Sequence, residues 1–495
     1  MTASRVPAGE EVEPLVLALD VGSTASRGDV FDAAGRPAGR GRHKVPHQFE
    51  TAGDGTSVID PDQVLSEIEE ILSELTDAHE PGTIAGVALD TFASSLVGVG
   101  ADGRPVTPCF TYADSRCSAQ VTALRQELDE QQVQQRTGCR QHSSYLPARL
   151  RWLAETQPET FAAARRWMSL GEYVYLRLLG RTAAGTATAA WTGMLDRRTG
   201  RWDPELLAAA GITEDQLSDV RNPDNPITEV DAGVGTRWPA LAGARWFAPI
   251  SDGFASNLGT GASDASVAAL AAATSGAVRV LVDQVPEQIP AGLWCYRVDA
   301  RRSLLGGAVN DVGRAVSWVQ STLQLPEDGL DPLAAAPPGP GTPLVLPYLT
   351  GERATGWAAH ARAVISGVSA STTGAGLARG VLEGVAFSYA RVVDQLRTVA
   401  GDLQEIRASG RVVAELPGML QVLADVLGTP VVPVTIRRAT LRGTALHALE
   451  VLAPDVPRSP LATSRAVQPV TGREAHYRGR AEEYQQVYAA LVADR

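Results

Sequence analysis

Leu15 to Leu19 form an unbroken apolar run that ends on Asp20. A short continuous run of this kind, closed by turn residues, predicts a strand buried on both faces with an acid at its tip. Gly22-Ser23-Thr24 supplies the turn. Asp60-Pro61-Asp62 then reads as a helix start with proline at the first helical position. Val64, Leu65, Ile68, Ile71, Leu72 and Leu75 share one face of that helix. Ile84 to Leu89 predicts a second buried strand, and alternating strands and helices predict an α/β layered domain.

The stretch from Asp219 to Pro239 reads as loop-rich, with three prolines in Asn222 to Pro239. Ala248 to Gly253 then repeats the earlier theme, a strand ending in turn chemistry that contains Asp252. Ala273-Thr274-Ser275-Gly276 leads into a strand-like run, Ala277 to Val282, and resembles the Gly22-Ser23-Thr24 turn in hydroxyl content. Two halves that each carry a small polar turn at a strand end predict a duplicated architecture. Ala336 to Pro343 reads as a second loop. Leu377 to Val399 predicts a long helix with Gly380 and Gly384 spaced for close packing, and Pro417 to Leu427 a helix capped by Gly428. The expected division is a disordered tail over 1–14, an N-terminal domain over 15–247 and a C-terminal domain over 248–495.

Composition narrows the function. The 495 residues are 44% hydrophobic and 20% charged, ample for ordinary globular cores. No run of about 18 apolar residues predicts a membrane span. The first fourteen residues are polar and acidic, without the apolar stretch of a signal peptide. Cys109, Cys117, Cys139 and Cys295 form no CxxC pair, so reduced thiols and a cytoplasmic location are expected. The net charge of −12 argues against a nucleic-acid partner but leaves anionic small molecules open. Lys44 is the only lysine and Val45 follows it, so no Walker A sequence exists. P-loop NTPases, protein kinases with their strand lysine and Schiff-base enzymes are thereby disfavoured. Any ATP chemistry must run on backbone amides, hydroxyls, metal and arginine.

Four local patterns carry candidate chemistry. In the octet Asp20 to Arg27, Gly22 permits close approach to an anion, Ser23 and Thr24 offer amides and hydroxyls, and Asp20 can hold Mg²⁺ through water. By itself the octet reads equally as a hairpin turn with a solvated aspartate. Asp252, at a strand end, can take a proton from an attacking hydroxyl, although Asp-Gly is also a common turn. Gly98 to Gly103 matches GxGxxG, but Ala101 to Pro105 is a turn and no helix follows, so a hairpin is expected and a dinucleotide site is not. His43 and His47 have i, i+4 spacing, but Pro46 breaks any helix that would align them on a metal. Surface or core roles are the default for both.

Taken in order, these segments resemble the FGGY carbohydrate kinases of the actin/hexokinase-like superfamily, from about Leu15 to about Leu452. The look is nearest to gluconokinase-like members. Phe110 to Arg116, Thr137 to Tyr145, Ser169 to Tyr173, Thr192 to Asp196 and Gly351 to Trp357 carry that likeness. The resemblance implies an α/β protein with two RNase H-like (actin-like ATPase) domains flanking a deep catalytic cleft. It implies ATP and Mg²⁺, with Asp20 and Asp252 near the metal and Asp252 as the base. Ser23, Thr24 and Arg27 match the first phosphate loop, and Thr274, Ser275 and Gly276 the second. Gly306 to Gly313, with Ser317 beyond it, matches the segment beside the nucleotide, and Gly410 and Arg411 fall in the adenosine motif. Ser94, Tyr112, Asp114, Arg116, Tyr145, Trp191 and Asp252 fall where the family lines its sugar pocket. The implied partner is a small sugar, polyol or sugar acid (gluconate-like), with no nucleic acid and no membrane. A homodimer is among the assemblies allowed.

Several positions depart from the family pattern. Ala93 and Ser94 replace a bulky residue and a histidine. Trp191 replaces a small residue, Ala273 a glycine, and Arg411 the second glycine of the adenosine motif. An imidazole lost from a sugar pocket leaves a buried hydroxyl without its partner, at a cost of roughly 1–3 kcal/mol. The acceptor then either lacks that hydroxyl or is larger. Two alternatives therefore stand beside the sugar kinase: a kinase acting on a modified sugar in a secondary-metabolite pathway, and a kinase-like protein that binds ligand without transferring phosphate.

Overall fold

Strand β1 (Leu15–Val21) is buried along its whole length because both of its faces are covered. Leu15, Leu17 and Leu19 point into one apolar cluster with Val64, Ile68, Ile71 and Leu72 of the helix Pro61–Thr76. Val16 and Ala18 point into another, with Leu441, Ala445 and Leu449 of the helix Ala439–Leu452. Period-2 alternation thus feeds two cores, which explains why the run is apolar without a break. This computed structural model describes residues 5–7, 9–339, 341–436, 439–461 and 463–493.

The first compact unit contains the chain through Gly261, together with the returning segments Cys295–Ser303 and Ile436–Leu461. Its main sheet adds β2 (Ala25–Phe31), β3 (Pro37–Pro46), β4 (Ile84–Thr91) and β5 (Arg245–Ser251), in the order β5-β4-β1-β2-β3. β1 and β2 form an antiparallel hairpin, whereas β4 runs parallel to β1 and β5 parallel to β4.

The second unit contains Ala262–Trp294, Leu304–Thr435 and the chain from Ala462. Strands β6 (Val267–Ala272), β7 (Gly276–Val282), β8 (Ser303–Val309), β9 (Glu405–Ser409) and β10 (Val431–Pro433) lie in the order β8-β7-β6-β9-β10. β6 and β7 form an antiparallel hairpin, β9 is parallel to β6, and β10 is parallel to β9. These five of the second sheet's six strands repeat the order of the first sheet when read from the β10 end, with a hydroxyl-rich turn in the first hairpin of each sheet. This is the duplication that the two turns predicted.

Some expectations need correction. A boundary between 247 and 248 would cut β5, which pairs with β4 through Ser251, so Asp252 belongs to the first unit and not to the second. The expected disordered tail is packed where it is described. Val6 N–H donates to the Pro37 carbonyl at 2.9 Å, and Arg5 pairs with Asp29 at 3.0 Å. Residues 1–4 and 8 of that tail, and Pro340 of the second predicted loop, lie outside the described residues. The loop-rich stretch from Asp219 to Pro239 also carries short elements. It holds the strand Val220–Arg221 and the helix Ala232–Arg237, which Asp231 caps by accepting from Gly233 N–H at 2.7 Å. Gly98 to Gly103 forms the expected hairpin, closed by Gly100 N–H to the Arg104 carbonyl at 2.8 Å.

Candidate active site

Ligand chemistry in such sheets gathers at the carboxyl ends of parallel strands. β1, β4 and β5 are adjacent and parallel, and their register sets Asp20 beside Asp90 and Ser251 beside Thr91. Asp252 follows Ser251 as the first residue of the helix Asp252–Gly259, whose N-cap Ser251 accepts from Phe254 N–H at 3.4 Å. Three carboxyl groups from distant parts of the sequence are thereby brought to one end of one sheet.

Their environments differ. Asp90 is fully buried. One of its oxygens accepts from the Thr444 hydroxyl at 2.5 Å, and the other has no donor. Burial pushes the Asp90 carboxyl well above the usual carboxylate range, and the charges of Asp20 and Asp252 push the same way. Burial also raises Asp20, opposed by Arg27, whose Nη1 lies 3.1 Å from the Asp20 carboxylate, and by His47. The two carboxyl groups titrate as a pair, with burial pushing Asp90 further toward its neutral form and the Arg27 guanidinium working against that push at Asp20. Asp252 is half-buried and is the most accessible of the three.

Among the described residues no cluster of three or more His, Cys, Asp or Glu is arranged as a metal cage. Asp20 and Asp252 offer oxygen donors only. That set suits Mg²⁺, a hard ion that keeps most of its waters and takes one or two carboxylates.

The β1–β2 hairpin holds the first predicted phosphate loop. Ser23 and Thr24 are exposed at its tip, and Arg27 reaches back to the Thr24 hydroxyl at 3.3 Å. In the second unit the β6–β7 hairpin exposes Thr274 and Ser275. The start of the helix Gly313–Thr322 packs against this turn, with Gly313 N–H donating to the Ala273 carbonyl at 2.8 Å. A Cβ on Gly313 would meet that oxygen at 2.6 Å, so only glycine permits the approach. Ser317 is exposed one helical turn further on. Gly410, at φ +108°, sits against Ala272 at the end of β9. The structure thus brings Thr274, Ser275, Gly276, Gly313 and Gly410 together. Arg411 is exposed and lies along its own helix toward Glu415 at 3.7 Å.

On the acceptor side the first unit gathers Thr91, Phe92, Ala93, Ser94, Thr188, Trp191 and Ser251 around one small cavity. Ser94 takes a left-handed backbone (φ +56°) and donates its hydroxyl to the Trp191 carbonyl at 2.7 Å, while buried Arg149 donates to the Ser94 carbonyl. Ser94 is therefore tied to the main chain at Trp191. Trp191 stacks on Tyr296 with ring centroids 3.7 Å apart, and the Tyr296 hydroxyl bonds that of Tyr145 at 2.6 Å. Asp114 and Arg116 pair with each other at 2.6 Å, and Asp114 also accepts from Ser57 N–H at 3.1 Å. Arg116 further stacks over Trp152. Tyr112 is exposed, its ring edge-on to Phe92.

Residues 15–259 match the N-terminal domain of the FGGY family of carbohydrate kinases, and residues 268–450 match its C-terminal domain. The chain belongs to this family. The gluconokinase of Bacillus subtilis is 25% identical over 415 residues, covering 80% of this chain and 79% of the relative. A glycerol kinase from Nocardia farcinica is 27% identical, covering 88% and 89%. The solved gluconate kinase from Lactobacillus acidophilus superposes with a TM-score of 0.88 at 28% identity, covering 97% of this chain and 98% of that one. This FGGY kinase accordingly has the two-domain, actin-like ATPase fold. It is a phosphotransferase with an alcohol acceptor, in a family that takes phosphate from ATP. No helix among the described residues is long and apolar enough to cross a membrane.

Sequence reading missed four residues of this FGGY kinase's site. Asp90 carried a usable signal, since an apolar run ending in an acid had already drawn attention to Asp20. Thr444, Tyr296 and the buried ring of His47 carried none, because each reaches the site through tertiary contact alone.

Proposed function

We propose that this kinase transfers the γ-phosphoryl group of ATP to a hydroxyl of a small sugar, polyol or sugar acid, with Asp252 as general base. The observation that carries this is the contrast among the three acids. Burial pushes Asp90 toward its neutral form, Asp20 is tied to Arg27, and Asp252 is the most accessible of the three to a substrate hydroxyl. Its position in the first turn of the helix Asp252–Gly259 favours the ionised form a base requires. The acceptor oxygen bonds to the γ-phosphorus as the bond from that phosphorus to the β,γ-bridging oxygen breaks. The hydroxyl proton passes to Asp252, and ADP leaves. Asp20 and Asp252 would hold Mg²⁺, which when bound would supply charge neutralisation on the phosphates. Thr24 and Arg27 contribute donors in the first loop, and Thr274 and Ser275 contribute the hydroxyls of the second loop, which Gly313 braces through the Ala273 carbonyl. The four cysteines are buried and unpaired, which supports a reducing, cytoplasmic setting.

Binding without transfer is the weaker reading, because Arg411, which motivated it together with Ala93-Ser94, turns along its own helix. The test is magnesium-dependent ADP release over a panel containing gluconate, glycerol, xylulose and modified sugars. At least one acceptor turns over, and Asp252→Asn lowers kcat by about 10²–10⁴ with acceptor binding largely kept. No turnover by folded enzyme across the panel, or an active Asp252→Asn variant, overturns the assignment.

A further inference from the structure

His47 lies directly behind the first phosphate loop. Its ring is buried, with Nδ1 2.8 Å from the Glu67 carboxylate and Nε2 2.7 Å from the Gly22 carbonyl. Its backbone N–H donates to the Thr24 carbonyl at 3.1 Å. Glu67 is anchored in turn by the Ser26 hydroxyl at 2.6 Å and by Gln63 at 2.9 Å. Both ring nitrogens face acceptors. One residue thereby fixes the carbonyls on either side of Ser23. A peptide plane is rigid, so holding the Gly22 carbonyl also sets the direction of the Ser23 N–H.

We propose that His47, braced by Glu67 and Ser26, is a positioning residue that aims the Gly22–Ser23 amide at the phosphates of the nucleotide. This rests on the reading of Gly22-Ser23-Thr24 as a phosphate loop. His47 touches no substrate. It acts through the loop, and its ring turns the side chain of a β-hairpin strap into a fixed backing for an otherwise exposed turn.

The test uses two variants that each keep one half of the ring's reach. In His47→Gln the amide nitrogen falls near Nε2 and retains the Gly22 contact. In His47→Asn it falls near Nδ1 and retains only the Glu67 contact. Calorimetric titration of the full chain with MgATP and with adenosine reads phosphate binding apart from base binding. Loss of one hydrogen bond at the loop corresponds to about tenfold in affinity. The expected result is that His47→Asn weakens MgATP about tenfold and His47→Gln clearly less, with adenosine unchanged in both. Equal MgATP affinity in wild type and His47→Asn overturns the proposal. So does parallel weakening of MgATP and adenosine, which marks a merely structural role. If wild type binds adenosine but gains nothing from the phosphates, the phosphate-loop reading itself fails, and the proposal falls with it. Thermal melting of each variant confirms that the comparison is made on folded protein.

Discussion

Replacing His447 with leucine tests how the helix Ala439–Leu452 supports the acids. His447 is 3% exposed, edge-on to Phe247 and Phe254, and its Nδ1 has no partner. Burial pulls its pKa from 6.5 down to about 4, so the imidazole is neutral in the folded protein at ordinary pH. Stability from this depressed value is present above pH 6.5 and is lost as pH falls toward 4, because the unfolded chain takes up the proton first. At 1.36 kcal/mol per pKa unit the full loss is roughly 3 kcal/mol, of which about 2 kcal/mol has been lost by pH 5. Leucine removes the titrating group and keeps an apolar side chain against both phenylalanines. Urea unfolding of the first-unit transition at pH 7.5 and at pH 5 reads the difference. The wild type should lose about 2 kcal/mol more than His447→Leu over that interval. Curves that stay parallel from pH 7.5 to 5 would refute the account. The same helix carries Thr444, one turn away, so acid should also loosen the residue that bonds Asp90.

Other outcomes follow from individual contacts. Arg411→Ala should leave the ATP KM within about twofold, since an exposed i, i+4 ion pair contributes little. A large rise in steady-state ATP KM would return Arg411 to the nucleotide site. Trp191→Ala removes a stack worth about 0.5–1.5 kcal/mol and opens the small cavity beside Ser94, so acceptor KM values and their ranking should change while the ATP KM holds. Glu352→Gln breaks the buried pair with Arg391, which lies 2.6 Å away and stacks over Tyr488. Leaving Arg391 without its charge partner should cost about 3–5 kcal/mol in the second unit, read by denaturant unfolding.

Much of this protein was legible from local pattern. The run Leu15–Leu19 ending on Asp20, the proline-started helix with its apolar face and the two hydroxyl-rich turns follow from periodicity and turn chemistry, which act over a few residues. The family motifs were legible for the same reason, because each is a contiguous segment. The domain limits were not. β5 joins the first sheet by pairing with β4, more than 150 residues earlier in the chain, and no local signal reports that pairing. The same holds for the active-site acids. Sequence named Asp20 and Asp252 separately, each compatible with an ordinary turn. Only the parallel register that sets Asp20 beside Asp90, with β5 alongside, decided that one acid is pushed toward its neutral form, one is tied to Arg27 and one is the most accessible. Protonation depends on burial and on neighbouring charge, and both are properties of the folded chain.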